Sequence, residues 1–275
     1  MSDVVKPNPL QKYLRPGTLP HFYCAGCGAG QVLHYFIQAA HELNLDFDKL
    51  VGIGGVGCTA RIPVFMNVEA LHGIHGRTLP WATGIKLHNP ELKVVIFAGD
   101  GDAASIGGNH LIHACRRNLD VTMIVVNNLT FGMTGGQVAP TTPKAAVSTT
   151  TPFGNEEQPF DLCKLAIAAG ATFVSRWNTS RSTQAVRAIK KALQHRGFSL
   201  VEIICQCPTQ FGRAAIGSGD PIKLLDWIEE CSITEQEAKK LPEQEAAKKF
   251  ILGNFVERQE PVFEGTSVYR QMEDK

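Results

Sequence analysis

Four short apolar runs, separated by stretches of helical pattern, constrain the fold of this chain most strongly. The runs are rich in Val and Ile and cover residues 49–55, 93–100, 121–128 and 199–207. The helical stretches cover 28–43, 107–118 and 182–197, the last ending on a glycine. Apolar runs of this length are typical of strands buried on both faces. The alternation predicts an α/β domain with a mostly parallel sheet flanked by helices.

Shifts in composition divide the chain into three parts. We predict an N-terminal arm at 1–20, one main domain at 21–230, and a C-terminal helix and polar tail at 231–275 with no core of its own. The segment 137–160 is rich in Pro, Thr and Ser and is too long for an ordinary connection. We therefore predict a functional loop there, at the mouth of a site.

Composition and charge restrict the class of protein. With 275 residues, 44% of them hydrophobic, the chain can bury a substantial core. A formal charge of +1 and the lack of a basic block argue against a nucleic-acid partner. The N-terminus lacks a signal-peptide pattern, and no run reaches the ~18 apolar residues of a membrane span. We expect a cytoplasmic protein with no membrane partner, whose eight cysteines are reduced, buried or metal-bound.

The stretch "VVIFAGDGDAASIGGNH", residues 94–110, carries the most specific chemistry. It runs from a buried strand through a Gly-Asp-Gly-Asp turn into a helix, whose N-terminal amides can bind phosphate. Asp100 would repel that phosphate unless Mg²⁺ lay between them. Asn128, at the end of the next strand, supplies a second oxygen at the same edge of a parallel sheet. The alternative is a plain strand–helix turn with capping aspartates.

The cysteine pattern leaves several kinds of site open. Cys24 and Cys27 form a CxxC pair, with Cys58 and Cys207 far along the chain. This spacing lacks the second CxxC of a zinc ribbon, which makes zinc the weaker interpretation. The pair precedes a helix, as in thioredoxin-type redox pairs, so that alternative stays open from the residues alone.

The other cysteines fall in predicted helices or at the end of the last predicted strand. Cys115, Cys163 and Cys231 fall in helical patterns and are interpreted as core residues or ordinary free thiols. Cys205 and Cys207 are two apart on a predicted strand and would share a face, so geometry chooses between them only if the strand ends there. Pro208 indicates that it does.

Together these motifs resemble a known family. The Gly-Asp-Gly turn followed by Asn-Asn resembles the thiamine diphosphate signature. With "CAGCGAG", "GIGGVGCTAR", "HGRTLPWATGIKLHNP" and "NNLTFGMTGGQVAPTTP", the chain resembles the beta subunit of the 2-oxoacid:ferredoxin oxidoreductases from about residue 14 to 213. The resemblance implies a thiamine diphosphate-binding fold of the diphosphate type, and three cofactors: thiamine diphosphate, Mg²⁺ and a 4Fe-4S cluster.

The resemblance also implies the site residues. Asp100 and Asn128 would bind magnesium by their side chains and Thr130 by its backbone carbonyl, while Gly101 and Asp102 would offer backbone amides to the diphosphate. The rest of the implied cofactor site consists of Gly57, Cys58, His75, Gly76, Gly99, Gly132, Met133 and Thr134. The implied cluster ligands are Cys24, Cys27, Cys58 and Cys207, the last because the family's ligand directly precedes Pro-Thr.

The reaction implied by the family is a decarboxylation coupled to electron transfer. The thiazolium carbanion attacks the keto carbon of a 2-oxoacid, carbon dioxide leaves, electrons pass through the cluster to ferredoxin, and coenzyme A accepts the acyl group. The alternatives are a non-redox thiamine diphosphate decarboxylase or synthase, and a zinc-stabilised nucleotide-binding module without catalysis.

The identity of the 2-oxoacid is less constrained. The wording of "GDGDAASIGGNHLIHACRRN" and "GMTGGQ" most resembles 2-oxoglutarate members, with pyruvate or broad specificity as the alternative. Two departures stand out: Gly135 replaces a lysine of broad-specificity relatives, and Thr59-Ala60 replaces a Ser-Ser pair after Cys58. Cations available for a distal carboxylate are Arg61, Arg77, Lys86 and Arg213.

A missing glutamate points to a partner chain. Thiamine enzymes need a glutamate that forms a hydrogen bond with the aminopyrimidine ring. That ring is usually held by a different domain from the one that binds the diphosphate. This chain has no second α/β module, and its nearest candidates are Glu69 and Glu202, the latter interpreted as an edge-strand residue. The resemblance implies that the glutamate lies on an alpha subunit and that two alpha–beta pairs form a heterotetramer. We therefore predict that the chain is inactive alone.

Overall fold

One sheet organises the computed structural model, which describes residues 8–265. Within them its strands are β1 (Leu50–Gly54), β2 (Glu69–His72), β3 (Lys93–Gly99), β4 (Thr122–Asn127), β5 (Phe173–Asn178), β6 (Ser199–Ile204), β7 (Ser232–Thr234) and β8 (Phe250–Glu257). Their order across the sheet is β2-β1-β3-β4-β6-β5-β8-β7. The first six are parallel, whereas β8 runs antiparallel to β5. The predicted mostly parallel α/β fold is confirmed.

Helices cover both faces of the sheet. They are α1 (Gly28–Glu42), α2 (Ile62–Phe65), α3 (Thr78–His88), α4 (Gly108–Arg117), α5 (Leu162–Ala168), α6 (Ser182–Gln194), α7 (Pro221–Glu230), α8 (Glu235–Ala238) and α9 (Glu243–Ala246). Val95 and Phe97 of β3 pack on the side of α1 and α6, and Val94 and Ile96 on the side of α3, α4 and α5. This two-residue alternation places apolar side chains on both faces. Among the described helices, none is long and apolar enough to cross a bilayer.

The C-terminal part differs from the helix and polar tail that were predicted for residues 231–275. Its described residues form α8 and α9 and two strands, and β8 adds to the sheet beside β5. The physical reason is that β5 would otherwise leave a row of unpaired backbone groups at the sheet edge. Residues 1–7 of the predicted arm and 266–275 of the predicted tail lie outside the described residues. The boundaries at residues 20 and 230 stay a prediction.

The carboxyl ends of four neighbouring strands lie at one edge of the sheet. The residues that follow β1, β3, β4 and β6 there include Cys58, Asp100, Asn128 and Cys207. The start of α1 joins them, because the Gly28 amide donates to the Gln206 carbonyl at 3.0 Å. This contact brings the CxxC loop to the edge at which parallel sheets bind their ligands.

Candidate functional site

A cavity of about 100 Å³ opens at this edge of the sheet. Its wall contains the following residues of the predicted cofactor site: Gly57, Cys58, His75, Gly99, Asp100, Gly101, Asp102, Asn128, Thr130, Gly132, Met133 and Thr134. Val56, Thr59 and Phe131 also line it, although none of them was predicted as a cofactor-binding residue. Gly76 lies behind the wall, where its amide donates to Asp102 Oδ1 at 2.7 Å. The fold thus brings together residues from four separate segments.

Three oxygen-bearing groups converge inside the cavity. The inward end of the Asn128 amide lies 3.1 Å from Asp100 Oδ1 and 2.7 Å from the Thr130 carbonyl oxygen. With its nitrogen turned inward, the amide donates to both oxygens; with its oxygen turned inward, all three oxygens can bind one cation. Carboxylate, amide and carbonyl oxygens are ligands that Mg²⁺ accepts. This donor set therefore fits a magnesium ion.

The electrostatics of Asp100 also favour a cation. Its side chain is 1% exposed, and burial raises the pKa of the carboxyl group to about 7 against the opposing effects of the Thr141 hydroxyl and the Asn128 backbone amide. Within residues 8–265 no Lys, Arg or His forms an ion pair with it. A bound divalent ion would favour the charged carboxylate that burial otherwise disfavours.

A strained backbone residue, Leu129, lies between Asn128 and Thr130, two of the predicted magnesium ligands. Leu129 has φ of 64°, in the left-handed region that leucine rarely adopts. Its amide donates to Asn127 Oδ1 at 3.0 Å, and its carbonyl accepts from the Thr142 hydroxyl at 2.7 Å. The Thr130 hydroxyl is directed to the Gln137 carbonyl, 2.8 Å away. The carbonyl oxygen of Thr130, by contrast, faces the Asn128 amide in the cavity.

The turn after β3 suits a phosphate. A Cβ at Gly101 would lie 2.3 Å from the Phe131 ring, so only glycine allows that ring to pack there. The Asp102 carboxylate is buried behind the turn, where its Oδ1 lies 2.5 Å from His75 Nδ1. Burial raises the pKa of Asp102, and the Gly76 amide and His75 oppose that increase. This contact was not predicted, because His75 and Asp102 lie in different segments of the chain and no local pattern pairs them.

The predicted cluster cysteines gather beside the cavity. Cys58 lines it, and a Cβ at Gly132 would lie 3.5 Å from Cys207 Sγ and 3.3 Å from the Asn128 amide. Burial raises the pKa of Cys27 to about 11, and nearby Cys207, Cys58 and Cys24 add to the increase. All eight thiols are free. Within residues 8–265, no three His, Cys, Asp or Glu side chains converge closely enough to hold a single metal ion.

Cys205 and Cys207 differ in their surroundings. The backbone amides of Gln210 and Phe211 bond to Cys207 and lower the pKa of its thiol, which burial raises. Cys205 is packed against α1, so that a Cβ at Gly28 would lie 2.8 Å from its Sγ. Burial, neighbouring thiols and Asp100 all raise the pKa of Cys205. A thiolate is therefore more favourable at Cys207.

The structure places Glu202 differently from the sequence interpretation. It is 1% exposed on β6, between β4 and β5, so its interpretation as an edge-strand residue was wrong. Its Oε2 accepts from Arg176 Nε at 2.7 Å and its Oε1 from Asn127 Nδ2 at 2.7 Å. The other candidate, Glu69, is exposed on β2. The edge interpretation failed because β5, which covers Glu202 on one side, was not predicted.

One of the four candidate cations is occupied elsewhere. Lys86 is buried and bonds to Asp120 at 2.9 Å and to two backbone carbonyls. Arg77 is at the cavity end of the molecule, where its Nη1 donates to the Ile106 carbonyl at 3.1 Å. Arg61 lies near Tyr23, where its charge opposes the increase in the Tyr23 pKa that burial, Cys27 and Cys58 cause. Arg213 is exposed.

Comparison with known proteins places these features in a family. Residues 55–203 match the model of the thiamine pyrophosphate enzyme, C-terminal TPP binding domain. The chain is 47% identical over 93% of its length to the 2-oxoglutarate synthase subunit KorB of Methanocaldococcus jannaschii, and covers 94% of that protein. It is 54% identical over 72% of its length to the subunit of the same name from Archaeoglobus fulgidus, covering 73% of it.

A solved structure has a similar fold over almost the whole of this chain. It is the 2-oxoglutarate:ferredoxin oxidoreductase from Magnetococcus marinus, with 2-oxoglutarate, coenzyme A and succinyl-CoA bound. The TM-score is 0.83 at 28% identity, and the match covers 99% of this chain and 92% of that one. The likeness therefore includes the sheet edge at which the cavity lies.

Proposed function

Since this chain belongs to the family of 2-oxoglutarate synthase KorB subunits, we propose that its cavity holds thiamine diphosphate and Mg²⁺ beside a 4Fe-4S cluster. The chain is the beta subunit of an oxidoreductase that decarboxylates a 2-oxoacid with coenzyme A as acyl acceptor, or runs the reverse carboxylation. The observation that carries the cofactor assignment is the convergence of Asp100, Asn128 and the Thr130 carbonyl in one buried cavity.

In this proposal, different cavity residues bind different parts of the cofactor. Asp100, Asn128 and Thr130 hold magnesium, and the amides of Gly101 and Asp102 face the diphosphate. His75 lines the wall, and its Nδ1 lies 2.5 Å from Asp102 Oδ1, which also accepts from the Gly76 amide. Thiamine diphosphate bound here would supply the carbon nucleophile for the 2-oxoacid.

Four cysteines hold the proposed cluster. Cys24, Cys27, Cys58 and Cys207 are its ligands, and the amides that bond to Cys27 and Cys207 favour their thiolates. Cys58 and Cys207 both adjoin the cofactor cavity. A 4Fe-4S cluster held by these thiolates would supply one-electron transfer towards ferredoxin. A reducing cytoplasm, where thiols stay available for iron, is the proposed location.

A partner subunit completes the site. The described residues contain no second α/β module, and Glu202 already uses both carboxylate oxygens. Apolar side chains are exposed around the cavity, among them Ile74 (66%) and Met133 (47%). We assign this face to an alpha subunit that brings the pyrimidine-activating glutamate, in an assembly of two alpha–beta pairs.

The substrate assignment is 2-oxoglutarate, because two relatives that are 46–47% identical over more than nine-tenths of the chain carry that name. The test uses the full-length chain purified with its partner subunits. We expect reduction of a viologen dye that requires 2-oxoglutarate and coenzyme A, and faster turnover with 2-oxoglutarate than with pyruvate. A clear preference for pyruvate would contradict the substrate assignment.

Asp100→Ala tests the cofactor site directly. We expect this variant to lose magnesium-dependent thiamine diphosphate binding in calorimetry, because no other ligand of the proposed metal carries charge. Asp226→Ala, at an exposed aspartate of α7, is the matched control and should bind normally. Normal binding by Asp100→Ala would show that the site is assigned wrongly.

A further inference from the structure

The Asp100 carboxylate uses its two oxygens for different partners. Oδ1 faces the Asn128 amide and the Thr130 carbonyl, at the point where a cation fits. Oδ2 accepts a hydrogen bond from the hydroxyl of Thr141, a residue that is 4% exposed. Thr141 itself does not line the cavity. Its hydroxyl therefore acts on the carboxylate from behind the metal position.

The bond from Thr141 limits how the carboxylate can turn. A carboxylate without a second partner can rotate about its Cβ–Cγ bond and present either oxygen, or both, to a cation. A donor bound to Oδ2 fixes that rotation and leaves Oδ1 for the metal. Hydrogen bonds to ligating carboxylates commonly have this effect, and their loss typically lowers metal affinity about 10- to 100-fold.

Thr141 is held in place by the segment in which it lies. The adjacent Thr142 hydroxyl donates to the Leu129 carbonyl at 2.7 Å and accepts from the Ala139 amide at 2.8 Å. Asn155 Nδ2 donates to the Thr142 carbonyl at 2.8 Å. Residues 137–160 are thereby fastened to the turn that carries two of the proposed magnesium ligands, and the Thr141 hydroxyl reaches Asp100 from a fixed backbone.

We propose that Thr141 is a positioning residue of the magnesium site, whose hydroxyl orients the Asp100 carboxylate so that one oxygen faces the metal. The inference rests on the proposed function, because it requires magnesium and thiamine diphosphate in the cavity. It adds a residue outside the cavity wall to the set that determines cofactor affinity.

The test compares three variants of the full-length chain, purified with its partner subunits and freed of metal. Thr141→Val keeps the shape of the side chain but removes the donor, and Thr141→Ser restores the donor. Thr172→Val removes an equally buried hydroxyl that bonds to Asn118, His195 and the Phe198 carbonyl just before β5, at the opposite end of the parallel strands from the cavity. The measurement is the dissociation constant of Mg²⁺ at saturating thiamine diphosphate, by calorimetry, together with the melting temperature.

We expect Thr141→Val to bind Mg²⁺ at least about tenfold more weakly. Excess Mg²⁺ should restore thiamine diphosphate binding to this variant, which it would not do for a misfolded cavity. Thr141→Ser should bind Mg²⁺ within about threefold of wild type. Thr172→Val should melt at a lower temperature with its Mg²⁺ affinity changed by less than about threefold, because its bonds lie far from the carboxylate.

Two results would overturn the inference alone: wild-type Mg²⁺ affinity in Thr141→Val, or an equal loss of affinity in Thr172→Val. The second would mean that loss of any buried hydroxyl bond, and not of the bond to Asp100 in particular, lowers the affinity. Failure of the wild-type enzyme to bind Mg²⁺ and thiamine diphosphate would instead overturn the proposed function, and the inference with it.

Discussion

Replacing Asp100 with asparagine separates the cost of a buried carboxylate from its use in binding a cation. The change keeps the shape of the side chain and removes its charge. The new carbonyl oxygen can accept the Thr141 hydroxyl, and the new amide can donate to the Asn128 side-chain oxygen when that oxygen is turned inward, so both polar atoms of the new side chain keep a partner. We expect Asp100→Asn to be more stable than the metal-free wild type while losing magnesium-dependent cofactor binding.

The magnitude follows from the pKa of Asp100. Burial raises that pKa from 3.8 to about 7, so the metal-free folded protein binds this proton more tightly than the unfolded chain does. The wild type therefore loses stability as pH rises between these two values, and the full loss is present above pH 7. At about 1.4 kcal/mol per pH unit, it amounts to about 4 kcal/mol. The advantage of Asp100→Asn should grow from about 2 kcal/mol at pH 5 to about 4 kcal/mol at pH 8.

The assay is thermal and urea unfolding of both proteins after removal of metal and cofactor. For a chain of this size about 1 kcal/mol corresponds to about 2–4 °C in Tm. Magnesium with thiamine diphosphate should raise the Tm of the wild type and leave Asp100→Asn unchanged. Asp226→Asn, at an exposed position, serves as the control for the loss of one charge. Equal stability of wild type and Asp100→Asn at pH 8 would refute the reasoning, because the carboxylate would then carry no burial cost.

Three further predictions concern the cysteines, the buried ion pair and the partner. Cys207→Ser should lower iron content or alter the electron paramagnetic spectrum of the reduced enzyme, while Cys205→Ser should keep both; the reverse result would move the fourth ligand to Cys205. Glu202→Gln should lower the free energy of unfolding by about 3–5 kcal/mol, since it leaves buried Arg176 without one carboxylate, and turnover per folded enzyme should not change. A large loss of turnover without loss of stability would instead mean that Glu202 takes part in the chemistry. The isolated chain should bind iron but decarboxylate nothing until its partner is added, and measurable decarboxylation without the partner would place the missing glutamate in this chain.

Local sequence patterns predicted the centre of the sheet well. The run 93–100 became β3 (Lys93–Gly99), and the pattern at 28–43 became α1 (Gly28–Glu42). Both depend on neighbours along the chain: continuous apolar residues in one case and helical spacing in the other. Asp100 and Asn128 could be paired in advance because parallel strands end at one edge of a sheet.

Other features depend on residues far apart in sequence. The strand β5 contains Arg176, whose burial requires Glu202 and Asp161 as partners, so its sequence alone does not indicate a buried strand. The Thr141 contact with Asp100 spans 41 residues and arises from the path of a loop that has no periodic pattern. The strained Leu129 likewise carries no signal in its residue type. Each of these is stabilised by tertiary contacts that override local preference.

Gly132 lies where the magnesium side of the cavity and the thiol of Cys207 share a wall. A side chain at this position would meet both the Asn128 amide and the Cys207 sulfur, at 3.3 and 3.5 Å from its first carbon. If the proposed function is correct, a substitution at Gly132 alters the surroundings of a magnesium ligand and of a cluster ligand together. A change meant to affect electron transfer and spare decarboxylation therefore has to be made away from this glycine.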